Sequence, residues 1–211
     1  MSKHYPAIAF TADVQQAQSE HGSDTFYRRK AVAGGASAGP DPLTDDEQEF
    51  LRQRDSFYLA TVSQTGWPYV QFRGGSKGFV HILDEHTIAW ADFRGNLQYI
   101  STGNLSGDGR VAVIAVDYAR RTRLKLFGHA RIASAEADPE LARSLADPAY
   151  DAVVERSVVV SVDAYDWNCP QHITPRFSVA ELEHALAGLQ GRIETLEAEN
   201  AELRRRLTGA H

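Results

Sequence analysis

A chain of 211 residues with 43% hydrophobic and 24% charged side chains is long enough for one compact domain plus an appendage, and too apolar to stay disordered. Its formal net charge of -6 disfavours general binding to nucleic acid or to an anionic membrane surface, and no apolar run approaches the ~20 residues that cross a bilayer. The first ten residues lack the apolar stretch of a signal peptide, and a single cysteine, Cys169, excludes an internal disulfide, so a reducing cytoplasmic setting is expected.

Residues 1–30 read as partly helical, and the small-residue run from Ala33 to Pro40 reads as a flexible linker. Thr44 followed by Glu47 predicts a capping box that opens a helix with Phe50 and Leu51 turned inward. From residue 56 the pattern changes to short β segments: 57–62, 68–73, then 78–83 and 87–91 as a hairpin around Asp84-Glu85-His86. A short helix near 95–103 leads to the apolar strand 110–118. Segment 124–133 continues the sheet and 157–162 closes it, with a helix between them that Asp138 caps and Pro139 starts. About seven short strands with few crossover helices argue for an antiparallel barrel, not a parallel sheet.

The last thirty residues carry a heptad seam. Leu182, Leu189, Leu196 and Leu203 occupy d, and Val179, Leu186, Ile193, Asn200 and Leu207 occupy a. An Asn at one a position favours a parallel pair, because it bonds to its twin in register. In that pairing Arg192 faces Glu197 and Glu199 faces Arg204, opposite in sign in both cases. The other reading is an amphipathic helix lying on its own barrel. Gly188 and Gly191 weaken the first half of the helix by about 1 kcal/mol each.

Three segments concentrate polar chemistry. Residues 71–79 set Arg73 and Lys77 beside three glycines, which suits either an anion cradle or an ordinary turn. Residues 90–99 join a strand to a helix, so Arg94 and the freed amides of that helix start suit an anion, with Asn96 and Gln98 as further donors. The same segment also reads as a plain helix start capped by Asp92. Residues 166–177 hold Trp167, Asn168, Gln171, His172 and Arg176 along a path fixed by two prolines, as a ligand-facing segment or as a rigid connector. Cys169 lacks the signature of a thiol nucleophile, and H-E-x-x-H, G-x-S-x-G, P-loop and dinucleotide fingerprints are absent, so no metal site is expected.

Taken together, 57–75 (FYLATVSQTGWPYVQFRGG), 78–105, 110–118 (RVAVIAVDY) and 168–173 (NCPQHI) resemble the pyridoxamine 5'-phosphate oxidase-like FMN-binding split barrels, in particular a related-flavoprotein branch; 10–23 resembles that branch's lead-in. The resemblance implies a mainly β fold with flanking helices. Residues 1–42 form the lead-in, 43–177 a six-stranded antiparallel split barrel, and 178–211 a coiled-coil helix. It implies a homodimer with FMN shared between subunits. Arg73, Lys77 and Arg94 lie at the family's phosphate-binding positions, and Ala91 and Asp92 near the flavin ring. Asn96 stands where the oxidase proper has a basic ligand, and Gln98 lies on the edging helix. Trp167, Asn168, Gln171 and His172 approach the ring from the partner chain. The oxidase's C-terminal Arg and His motif is not recognisable here, which argues against pyridoxamine phosphate as substrate.

The function so implied is an FMN-dependent oxidoreductase acting on a small molecule, with His172 as the nominated proton donor. The alternatives are a non-catalytic flavin sensor or carrier, or a related barrel that uses F420 or haem.

Overall fold

The computed structural model describes residues 2–33, 39–168 and 170–208. Most of the expected linker, and Cys169, lie outside the described residues. Seven strands form one sheet: β1 (Ser56–Val62), β2 (Pro68–Gly74), β3 (His81–Asp84), β4 (Thr87–Phe93), β5 (Arg110–Asp117), β6 (Thr122–Ser134) and β7 (Val154–Asn168). Their order is β2-β1-β5-β6-β7-β4-β3, and every neighbouring pair is antiparallel. The expected six-stranded split barrel is therefore corrected to a seven-stranded sheet with two edges, β2 and β3. The edge at β3 has a local cause. Phe79 and Val80, expected in the strand, are drawn into the core, so only four residues remain to pair. β3 reaches only to Ala89 of β4, leaving Trp90 to Phe93 as a free edge on that side.

Strict alternation builds the inner face. Phe57, Leu59 and Thr61 of β1 are buried with Val111, Val113 and Ala115 of β5. Phe57 stacks on Phe79 with centroids 5.5 Å apart and meets Trp90 edge-on at 4.9 Å. β4 is covered on both faces. Ile88 and Trp90 enter the main core, while Ala89 and Ala91 pack with Leu145 of helix α6 (Pro139–Leu145) and Val159 of β7. Asp138 caps α6 as its sequence predicts, accepting a hydrogen bond from the Leu141 amide.

Helices α1 (Tyr5–Ala9), α2 (Ala12–Glu20) and α3 (Asp24–Ala33) make the lead-in. Its anchor is Tyr5, which stacks on Phe127 at 5.3 Å and accepts a hydrogen bond from Lys125 Nζ at 2.9 Å. Helix α4 (Asp45–Arg52) opens with the expected Thr44–Glu47 capping box and buries Leu51. Helix α5 (Ile100–Gly107) starts five residues later than the sequence suggests. Residues 94–99 form a loop instead, with Leu97 and Tyr99 at φ 63° and 52°.

Residues 1–117 and 121–171 make one compact unit; 118–120 and 172–211 make a second. The second contains helix α7 (Val179–Thr208), whose a and d side chains are exposed along its length, from Leu196 at 46% to Val179 and Leu207 at 72%.

Candidate functional site

The site grows from the free edge of β4. On β2, Arg73 and Gln71 stand opposite Phe57 and Leu59 of β1, so they share the inner face. On β4, Asp92 continues the inward series of Ile88 and Trp90. On β7, Arg156 stands opposite Asp92 and continues the series of Val158 and Val160. Charged side chains thus replace apolar ones where the inner face meets the gap between β2 and β4.

These groups form an alternating chain. Arg73 forms an ion pair with one Asp92 oxygen at 2.9 Å, and Arg156 lies 3.6 Å from the other Asp92 oxygen. Arg156 also pairs with Glu155, which accepts from Arg94 at 3.0 Å and from the Tyr99 hydroxyl at 3.4 Å. Arg156 further donates to Thr102 Oγ1 at 2.7 Å and lies 4.8 Å over the Tyr99 ring. Ser101 of α5 donates to Gln71 at 2.9 Å. Because β2 and β4 share no ladder, Arg73–Asp92 is a side-chain bridge across the gap.

Burial pushes the Asp92 carboxyl above its ordinary value, against the pull of Arg73 and then of Arg156. The Glu155 carboxyl is held below its ordinary value, chiefly by the hydrogen bond from Arg94.

A cleft of about 550 Å³ opens beside this chain. Phe72, Phe79, Trp90, Phe93 and Tyr150 give it aromatic walls; Arg73 and Arg94 bring positive charge, and Asp55, Asp92 and Asp151 negative charge. Two donors on cleft-lining residues, Arg73 Nε and Trp90 Nε1, are buried and lack a partner among the described residues. Such orphaned donors are costly unless something accepts from them. A recess of about 40 Å³ adjoins the cleft between Arg73, Arg156 and the first turn of α5.

The structure brings Arg73, Ala91, Asp92 and Arg94 together in the cleft and Asn96 in the recess. Lys77 is exposed and does not line either. Gln98 is exposed, and its amide donates to Asn96 Oδ1 at 3.2 Å, so Asn96 braces its own loop. Asp92 does not cap α5; that position belongs to Tyr99.

Trp167 is bound into the core, packed on Phe50 at 4.8 Å and donating to Glu47 at 2.5 Å. Asn168 ends β7, with a buried Oδ1 that has no partner among the described residues. Gln171 is exposed. His172 belongs to the second unit, exposed at φ 63°.

The glycines serve a different end from an anion cradle. A Cβ at Gly74 would lie 2.8 Å from Phe72, and one at Gly75 would lie 2.8 Å from Phe79. The Gly75 and Gly78 amides are spent on the carbonyls of Asp55 and Arg54.

Sequence reasoning missed Arg156, Glu155 and Tyr150. Arg156 had a signal, since it extends the alternation of Val158 and Val160 by one step toward the strand's start.

An antiparallel sheet left open along one seam, with an arginine-bearing aromatic cleft there, places the chain among the split barrels. Residues 43–167, more than half of the chain, match the profile of the family described as pyridoxamine 5'-phosphate oxidase, and the chain belongs to that family.

Among solved structures, HupZ of Group A Streptococcus is 18% identical, with a TM-score of 0.48 over 64% of this chain and 100% of that one. A Clostridium acetobutylicum protein related to general stress protein 26, of the pyridoxinephosphate oxidase family, is 13% identical, with a TM-score of 0.41 over 64% and 94%. An FMN-binding protein of Syntrophomonas wolfei is 14% identical, with a TM-score of 0.44 over 58% and 86%. No curated protein matches the chain. Among the described residues no helix is long and apolar enough to cross a membrane, and no cluster of three or more metal-ligating side chains occurs.

Proposed function

We propose that this chain is an FMN-dependent oxidoreductase, cytoplasmic, whose cleft between β2 and β4 holds the flavin at a homodimer interface. The observation that carries this reading is the pair of orphaned donors, Arg73 Nε and Trp90 Nε1, on the walls of an aromatic cleft. The residues present fit a planar aromatic anion. Phe72, Phe79 and Phe93 offer ring-sized apolar contact, while Arg73 and Arg94 offer charge for a phosphate. The first turn of α5 adds free amides beside the recess.

Bound flavin supplies hydride or electron transfer. The chain's own residues bind and orient. Arg73 reaches in from β2, Arg94 from the loop, and the ring walls exclude water. A positive edge of this kind also favours negative charge on a reduced ligand. Tyr58, Val70 and Phe72 form an exposed apolar strip on the outer face of β1 and β2, which supports a second copy of the chain there. His172 remains the proposed proton donor, reaching the cleft with Asn168 and Gln171 from the partner. The α7 seam supports a parallel coiled coil between the same two chains.

The test is anaerobic. FMN-loaded protein is mixed with NADH or NADPH and then with candidate acceptors. Bleaching followed by acceptor-dependent reoxidation is the expected result. Bound flavin that neither donor reduces would favour a carrier or sensor. A preparation that refuses FMN yet binds F420 or haem would replace the cofactor.

A further inference from the structure

We infer that Arg156 is a positioning residue for the proposed FMN site, acting on Arg73 through Asp92 across the open seam between β2 and β4. The inference rests on the cofactor reading above for its ligand, and on geometry for its mechanism.

Arg156 is the fixed point of the charged chain. Thr102 accepts from one of its nitrogens at 2.7 Å, Glu155 takes another, and the Tyr99 ring covers its face at 4.8 Å. Only 11% of its side chain is exposed. Held on three sides, it presents charge to Asp92 Oδ2 from directly across the β4–β7 ladder. Asp92 then offers its other oxygen, Oδ1, to Arg73 at 2.9 Å. That single contact uses one terminal nitrogen of Arg73 and leaves Nε buried and unpartnered on a cleft-lining residue.

No backbone ladder holds β2 against β4, so the aim of Arg73 depends on where Asp92 puts its charge. Without Arg156, Asp92 has Arg73 as its one remaining cation. It either draws that guanidinium away from the ligand or takes up a proton and releases it. Both outcomes spoil the aim.

The charged groups facing Asp92 are Arg73 from β2 and Arg156 and Glu155 from β7. Burial already raises the Asp92 carboxyl. A carboxyl raised in the folded state binds its proton more tightly folded than unfolded, so it withdraws stability as pH climbs through that range. The two arginines oppose this. Deleting Arg156 raises Asp92 further and extends the loss upward in pH.

The test is a cycle of R73Q, R156Q and the double variant, with FMN dissociation constants read by quenching of flavin fluorescence at neutral pH. R156Q should weaken binding about tenfold, the order seen when a group that orients a ligand is removed. In the R73Q background the same change should cost little, because its route runs through Arg73. An undiminished effect there, or no effect in the parent, overturns the inference.

A second readout needs no ligand. The melting-temperature deficit of R156Q against the parent should widen as pH rises above the ordinary carboxylate range. R156K, which keeps the charge, should narrow it, and it serves the cycle if R156Q does not fold. If the parent itself ignores FMN, the cofactor reading fails alone. The melts then decide, and a deficit that does not vary with pH overturns the role of Arg156.

Discussion

Gly128 shows how one missing side chain can set the course of two strands. It sits where β6 and β7 shift register, and a Cβ there would lie 2.4 Å from the Ser161 carbonyl oxygen. Gly128→Ala should therefore destabilise by about 1–3 kcal/mol through forced displacement of backbone, read by urea unfolding. Glu47 makes the opposite point, because a side chain can hold more than its local motif declares. Its part in the capping box is legible from Thr44-x-x-Glu47 alone. Its hydrogen bond from the Trp167 indole, 120 residues away, is not. Glu47→Ala leaves that indole and the Thr44 amide without acceptors, and should cost about 1–3 kcal/mol in the same assay. The site divides along the same line. Arg73 and Arg94 stand out in sequence because they flank glycines. Arg156 hides behind Glu155 in what looks like a solvated charged pair, and only strand pairing shows it opposite Asp92.

At the scale of elements, alternation and caps located most strands and helices; the misreadings came where tertiary contact overrides local pattern. The sequence reading ends β7 at Val162, because Asp163 breaks the apolar run. The strand continues to Asn168, since a bulge absorbs the extra residue and returns Ala164 and Tyr165 to buried positions. Helix α5 was expected near residue 95, yet the chain first spends Leu97 and Tyr99 in left-handed conformations. Strain of this kind beside a cleft is typical of ligand-holding loops. For α7, the charges at e and g also allow an antiparallel pair, with Arg192 against Glu199 and Glu183 against Arg204. Asn200 decides, since an antiparallel register sets it against Leu189, whereas a parallel one sets it against its twin. Asn200→Leu should raise the melting temperature of the helix pair and admit higher oligomers, checked by circular dichroism and light scattering. An unchanged melt and mass would mean that α7 does not pair through this seam.

For the whole molecule, the class was readable from strand number, turn spacing and shared motifs, while the open seam was not. Nothing in the run Gly78-Phe79-Val80 tells a reader that Phe79 and Val80 serve the core and that β3 starts only at His81. That choice leaves the upper half of β4 paired with β7 but free on its other side, and the cleft opens there. Subunit pairing belongs to this scale too. Val70 is 59% exposed on the outer apolar strip but does not line the cleft. Val70→Asp should shift the protein toward monomer in sedimentation and weaken FMN binding with it, if the site is shared between chains. A dimer unaffected by that charge would move the interface elsewhere.

The most direct measurement of the central claim is a fluorescence titration of FMN with the full-length chain beside its R73Q variant. The account predicts saturable quenching at one flavin per chain, weakened at least tenfold by the substitution, the order of a lost charge-assisted contact. FMN that stays bright at every protein concentration, or that binds R73Q as tightly as the parent, would contradict it.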